Sequence, residues 1–269
     1  MLNSFLNLPV FIMILAAILI SSSISFIALL IVRRKVDWES FRENHEVGGF
    51  LFNALGLIYA VLIAFVVYAS WQEYNSAQAI CDKEANLMQD LYLNSDGLPE
   101  QYRREIKENV ILYLRKVIDV DWPLLDEDKR NPGTRKVLLD LWNVYVSMDS
   151  LKTEKEKMFY AESVSRLDEV TQYRRLRILS GQNHIPVVIW TVILIGALTS
   201  VGFSLFFGTR NFKVQAAMTS LFALTNAIII VLILNLDHPF TGSIKIKPVP
   251  YEEVLRNVLE MDDLKTLKK

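Results

Sequence analysis

Residues 48–94, GGFLFNALGLIYAVLIAFVVYASWQEYNSAQAICDKEANLMQDLYLN, decide the fold. The run begins as an apolar stretch of membrane length and continues, with no Pro or Gly after Gly56, into a polar segment that keeps the same period. That is the pattern of one helix of about 45 residues, roughly 70 Å at 1.5 Å per residue, half inside a bilayer and half outside it. Read in sevens, one seam row holds Gly49, Gly56, Ile63, Ser70, Ala77, Glu84 and Leu91, and the row beside it Asn53, Ala60, Val67, Tyr74, Cys81 and Met88. A 3.5-residue repeat that crosses the membrane boundary unbroken predicts packing along the whole helix, as the core face of a four-helix bundle or against a partner helix. The small residues of the first half permit close backbone approach there.

Working outward, composition narrows the classes. Hydrophobic residues make up 52% of the 269, and the mean hydropathy is +0.25, high for a soluble protein of this size. A net charge of −1, with no basic arm, gives no electrostatic case for nucleic acid. Three histidines and one cysteine leave little material for nucleophilic or metal chemistry, and no Gly-rich phosphate loop, HExxH, CxxC or nucleophile elbow occurs. The expectation is a protein that is not an enzyme, with no cofactor and no metal site; His45 stands alone at a membrane edge, and Cys81 reads as a small core residue.

Residues 8–32 form a first apolar run interrupted only by Ser21, Ser22, Ser23 and Ser25, long enough to span and without a signal peptide's positive leader. Arg33, Arg34, Lys35 and Arg42 mark a connector ending in Asn44-His45-Glu46, and the second span ends at Trp71 and Tyr74, where interfacial aromatics belong. Three amphipathic stretches follow. One starts after Pro99 and carries Ile106, Val110, Tyr113, Leu114 and Val117 up to Trp122-Pro123; after a loop over 126–133, a second is capped by Thr134; a third runs from about 153 to 180 and ends in Arg174-Arg175-Leu176-Arg177. Third and fourth spans over 185–207 and 214–236 are joined so tightly, with Arg210 and Lys213 in the connector, that they must form an antiparallel hairpin. The fourth carries Gln215, Thr219, Ser220, Thr225, Asn226 and Asn235, expected to face other helices, and an extended segment leads to a tail helix from Pro250. The fold class is thus all-α with four transmembrane helices: a first hairpin (1–71), an extramembrane helical domain continuous with the second span (72–184), a second hairpin (185–236) and a C-terminal segment (237–269).

Several blocks resemble a family. Gly56-Leu57-Ile58-Tyr59-Ala60-Val61-Leu62-Ile63-Ala64-Phe65-Val66-Val67 with Trp71, Tyr74, Ala77 and Glu84-Ala85, then Tyr113 with Trp122, then Arg174-Arg175-Leu176-Arg177-Ile178 before Pro186 and Trp190, and finally Leu236-Asp237-His238-Pro239-Phe240-Thr241-Gly242, are similar to the bacterial bestrophin-like family. The resemblance covers almost the whole chain and implies kinship with bestrophins, pentameric and chiefly anion-selective channels whose second membrane helix lines the pore. Thr241 interrupts the bestrophin Pro-Phe-Gly, and the acidic run of the calcium clasp is missing, so calcium gating is not carried over. The aromatic neck is replaced by Ala60, Ile63 and Val67.

The resulting expectation is a homo-oligomeric ion channel, a pentamer in the bacterial inner membrane, whose partners are its own copies, lipid and small inorganic ions. Pore-lining positions would be Gly49, Asn53, Gly56, Ala60, Ile63, Val67, Ser70, Tyr74 and Glu84, with Ile63 and Val67 as a dewetting constriction. Glu84, the charged residue of the first row, must either meet an arginine such as Arg174 or Arg177 or ring the mouth of a wet path. The other class of function is a membrane-anchored sensor or scaffold that binds a protein through the helical domain. Charges in the short connectors place that domain outside the cytoplasm; the family resemblance would place it inside.

Overall fold

The computed structural model describes residues 6–35, 45–127, 133–149, 151–207, 209 and 211–266. The expectations for Arg42, Asn44, Arg210 and the loop residues 128–132 fall outside these, as does that for the side chain of His45. Every regular element among the described residues is helical: α1 (Val10–Lys35), α2 (His45–Asn94), α3 (Glu100–Lys116), α4 (Trp122–Asp126), α5 (Gly133–Val146), α6 (Glu154–Ser180), α7 (Val187–Ser204), α8 (Phe212–Leu236) and α9 (Val249–Thr266). The long helix read from residues 48–94 is α2, 50 residues without a break. Four helices, α1, α2, α7 and α8, are long and apolar enough to cross a membrane. The chain divides into two units.

The first unit comprises residues 1–73, 184–238 and 242–244. Within it α1 lies along α8, and α7 also packs on α8. Ile63 of α2 meets Ile193 of α7 and Ile233 of α8, with Tyr59, Val67 and Trp190 packed around them. Gly196 leaves room for the Tyr59 ring, which a side chain there would strike, and Tyr59 Oη donates to the Ile193 carbonyl at 3.2 Å. Gln215, Thr219, Asn226 and Asn235 of α8 are buried as their polarity requires, whereas Thr225 is exposed and spends its hydroxyl on the Leu221 carbonyl. Arg33, at the end of α1, donates to Gln215 at 2.9 Å and to the Thr209 carbonyl. Outward lie Phe50, Leu57, Ile58, Phe65, Val187, Val188 and Leu198, all at least 67% exposed, an apolar surface suited to hydrocarbon and not to water. Gly242 has φ +91°, and a Cβ there would sit 2.9 Å from the Leu6 carbonyl oxygen, which instead accepts from the Ser243 amide at 3.1 Å.

The second unit comprises residues 74–183, 239–241 and 245–269. Here the seam of α2 is a core face: Ala77, Cys81, Ala85, Met88 and Leu91 are buried among Ile106, Val110 and Tyr113 of α3, Val137 and Leu141 of α5, Leu167 and Val170 of α6, and Tyr251 and Val254 of α9. The capping box Thr153–Glu156 starts α6, each residue's side chain accepting from the other's backbone amide. Two sequence expectations need correction. The helix expected to run to Trp122-Pro123 stops at Lys116 and passes through one π turn, Val117–Asp121, into α4. Pro123 has no amide hydrogen and its ring crowds the carbonyl four residues back, a conflict that the wider turn absorbs. Thr134 is not a cap, because α5 already begins at Gly133 and the Thr134 hydroxyl points into the core toward Asp121.

Candidate functional site

In the membrane half of α2 the expected pore positions meet two different environments. Ile63 is buried by its contacts with Ile193 and Ile233, and Ser70 is covered, with its hydroxyl on the Val66 carbonyl at 2.8 Å. At about 100° per residue, Asn53 and Ala60 fall roughly 60–80° round the helix from Ile63. Both are exposed in the single chain, and Val67 is half-buried. A Cβ added at Gly49 or Gly56 would meet nothing within 4 Å. The expected pore set therefore divides: Gly49, Asn53, Gly56 and Ala60 lie on an open strip, whereas Ile63 and Ser70 pack inside the chain. The opposite flank carries Leu51, Ile58, Val61 and Phe65, large and exposed.

In the helical unit Tyr74 is half-buried. Glu84 does not line a path: it is fully buried, and Arg177 of α6 grips it with Nε on Oε2 at 2.8 Å and Nη2 on Oε1 at 3.2 Å. Tyr113 of α3 donates its hydroxyl to the same carboxylate at 2.7 Å. Arg177 Nη2 also reaches Asp121 Oδ2 at 3.1 Å, and Thr134 links that oxygen, at 2.7 Å, to Arg174 Nε, at 3.0 Å. Two guanidiniums thus balance two carboxylates, the condition under which buried charge is tolerable. Trp122 and Tyr251 face the Arg177 guanidinium, each 5.8 Å from ring centroid to Cζ. Burial, the largest single influence, lowers the Arg177 pKa, but Glu84, Tyr251 and Tyr113 together outweigh it and hold the guanidinium well above its ordinary value. Burial pushes the Tyr113 and Tyr251 hydroxyls well above theirs, and Glu84 adds to both. Sequence reasoning named Arg177 as a partner for Glu84; it missed Asp121, whose one signal was an acidic residue on the apolar side of Trp122-Pro123.

It also missed a cluster at the ends of two spans. His184, just before α7, stacks on His238, just after α8, with ring centroids 4.5 Å apart and planes 26° apart. Asp237 lies between the helix ends, accepting from the Ile185 amide at 2.6 Å and from Trp190 Nε1 at 3.4 Å. The signal available was the pair of histidines flanking spans three and four, easily passed over because they are far apart in sequence.

Helices of membrane length, an apolar outer surface and a buried polar fourth span define an all-helical, multi-pass membrane protein. The model of the Bestrophin-like domain matches residues 10–251, and the chain belongs to that family. A leucine-to-threonine variant of a bacterial bestrophin homologue from Klebsiella pneumoniae superposes with a TM-score of 0.70 at 14% identity, covering 93% of this chain and 98% of that one. A tryptophan-to-alanine variant of the Klebsiella pneumoniae homologue gives 0.70 at 16% identity over 94% and 97%, and a tyrosine-to-alanine variant 0.69 at 16% over 92% and 98%. The fold is shared with these structures. No curated protein matches the chain.

Proposed function

We propose that this protein is a homo-oligomeric ion channel of the inner membrane, a pentamer surrounded by lipid, with α2 lining a pore for small inorganic ions. The observation that carries the reading is the strip of Gly49, Asn53, Gly56 and Ala60: Asn53 and Ala60 are exposed, and a Cβ at either glycine would meet nothing within 4 Å. Small and weakly polar groups suit a wet path or close helix contact, and lipid-facing positions on the same helix carry Leu51, Ile58 and Phe65 instead. Family membership supports the same reading. Ala60 and Val67 are the narrow apolar girdle that would gate by dewetting, with Ile63 and Ser70 backing the wall. The chain divides functionally into membrane hairpins at 1–71 and 185–236, a helical domain at 72–184 and a tail at 237–269. Positive connectors put that domain on the extracytoplasmic side.

The test is the purified protein in planar bilayers and in particle images. Unitary currents that change in Val67→Ala and Asn53→Asp, with fivefold particles, are the expected result. A monomer in native-like lipid with no conductance would overturn the reading. A scaffold reading draws on Leu139, Val146 and Met158, each more than half exposed on the helical unit. A stoichiometric protein partner in the absence of any flux would favour it.

A further inference from the structure

We propose that His184, Asp237 and His238 form a binding site for one divalent transition-metal ion of the zinc class, a reading independent of whether the protein conducts. One ligand atom from each residue lies within 4.8 Å of the others. Both rings are held from behind in the manner of metal-ligating histidines. His184 Nδ1 sits 2.9 Å from the Asp237 carbonyl oxygen, and His238 Nδ1 sits 3.1 Å from the Leu234 carbonyl oxygen. A carbonyl only accepts, so Nδ1 carries the hydrogen in each ring and the lone pair is on Nε2. That is the outer-shell arrangement that fixes tautomer and ring orientation at zinc sites.

Asp237 is equally prepared. The Ile185 amide and Trp190 Nε1 orient its carboxylate before an ion arrives, and each carboxylate oxygen has a second lone pair to offer. A tetrahedral ion with bonds of about 2.0–2.1 Å needs donors about 3.3 Å apart. His184 is exposed, so an ion can reach the three donors, which would draw together from within 4.8 Å as it binds. Two imidazoles and one carboxylate favour zinc, cobalt or nickel over magnesium and calcium, which prefer all-oxygen shells. Three protein ligands leave the fourth position to water or a small anion. Because the donors sit before α7 and after α8, the ion would tie together the ends of these two helices.

The full-length protein without a polyhistidine tag, stripped with chelator in detergent, is titrated with zinc chloride by calorimetry and with cobalt chloride by visible absorption. The expected result is saturation at one ion per chain, a cobalt band of tetrahedral intensity, and no competition from magnesium or calcium. In His184→Ala and His238→Ala, affinity falls at least about tenfold while the metal-free melting temperature stays at the parent value. Absence of saturation at one ion per chain, or unchanged affinity in the variants, would overturn the proposal. Should His238→Ala not fold, the exposed His184→Ala decides alone. Channel currents enter neither arm, so failure of this site and failure of the pore reading are read separately.

Discussion

The Glu84 carboxylate and the Arg177 guanidinium form a two-point ion pair with neither side chain exposed to solvent, at 2.8 and 3.2 Å. The two residues come from α2 and α6, so the pair ties the long helix to α6 within the second unit. Arg177 Nη1 is buried without a hydrogen-bond partner, so the network tolerates no further loss.

Glu84→Gln leaves a buried guanidinium short of a charge, and the expected cost is about 3 kcal/mol or more. Thermal or denaturant unfolding in detergent measures it. Since Glu84 is enclosed, the ion selectivity of the proposed channel should be unchanged in folded Glu84→Gln; altered selectivity at unchanged stability would contradict the burial.

Alkaline pH should destabilise the same core. Tyr113 and Tyr251 have pKa values raised well above the ordinary phenol, whereas in the unfolded chain they titrate near about 10. Below that value both states keep the proton and the contribution is complete. Above it the unfolded state releases protons the native state retains, so stability falls with rising pH by about 1.4 kcal/mol per unit for each tyrosine. Arg177 stays charged throughout. Melting curves between about pH 8 and 11 should decline above 10 and decline less steeply in Tyr113→Phe; a flat profile argues against buried phenols.

Ile63 and Val67 should behave differently although both stand on the seam. Ile63→Ala removes the contact with Ile193 and Ile233 and should lower the melting temperature. Val67→Ala, at a half-buried site, should change conductance more than stability. Paired melting and bilayer recordings separate them, and the reverse pattern would argue against the proposed pore face.

Gly242→Ala places a Cβ at φ +91° and against the Leu6 carbonyl oxygen. A loss of about 1–3 kcal/mol is expected. Gly56→Ala, with open space around it, should be nearly neutral for the single chain, and comparison of the two melts checks both.

The order and type of the helices were legible in the sequence because each rests on local information. The apolar runs, the unbroken 48–94 period, the Thr153–Glu156 cap and the Pro186 start are all set within one or two turns of chain. The family was legible too, from blocks spread along the chain. Which face of α2 turns inward was not. Ile63 and Asn53 differ little in a heptad reading, and only the placement of Ile193 and Ile233 buries the first and leaves the second open. Glu84 had two outcomes with identical local sequence, pore mouth or ion pair; the approach of Arg177, 93 residues away, decided between them. Thr134 and Asp121, 13 residues apart, likewise meet only in the folded chain, where Asp121 is buried at the end of the π turn. Local propensity determines elements, whereas the energy of a buried charge or a packed isoleucine depends on partners that only tertiary structure brings within bonding distance.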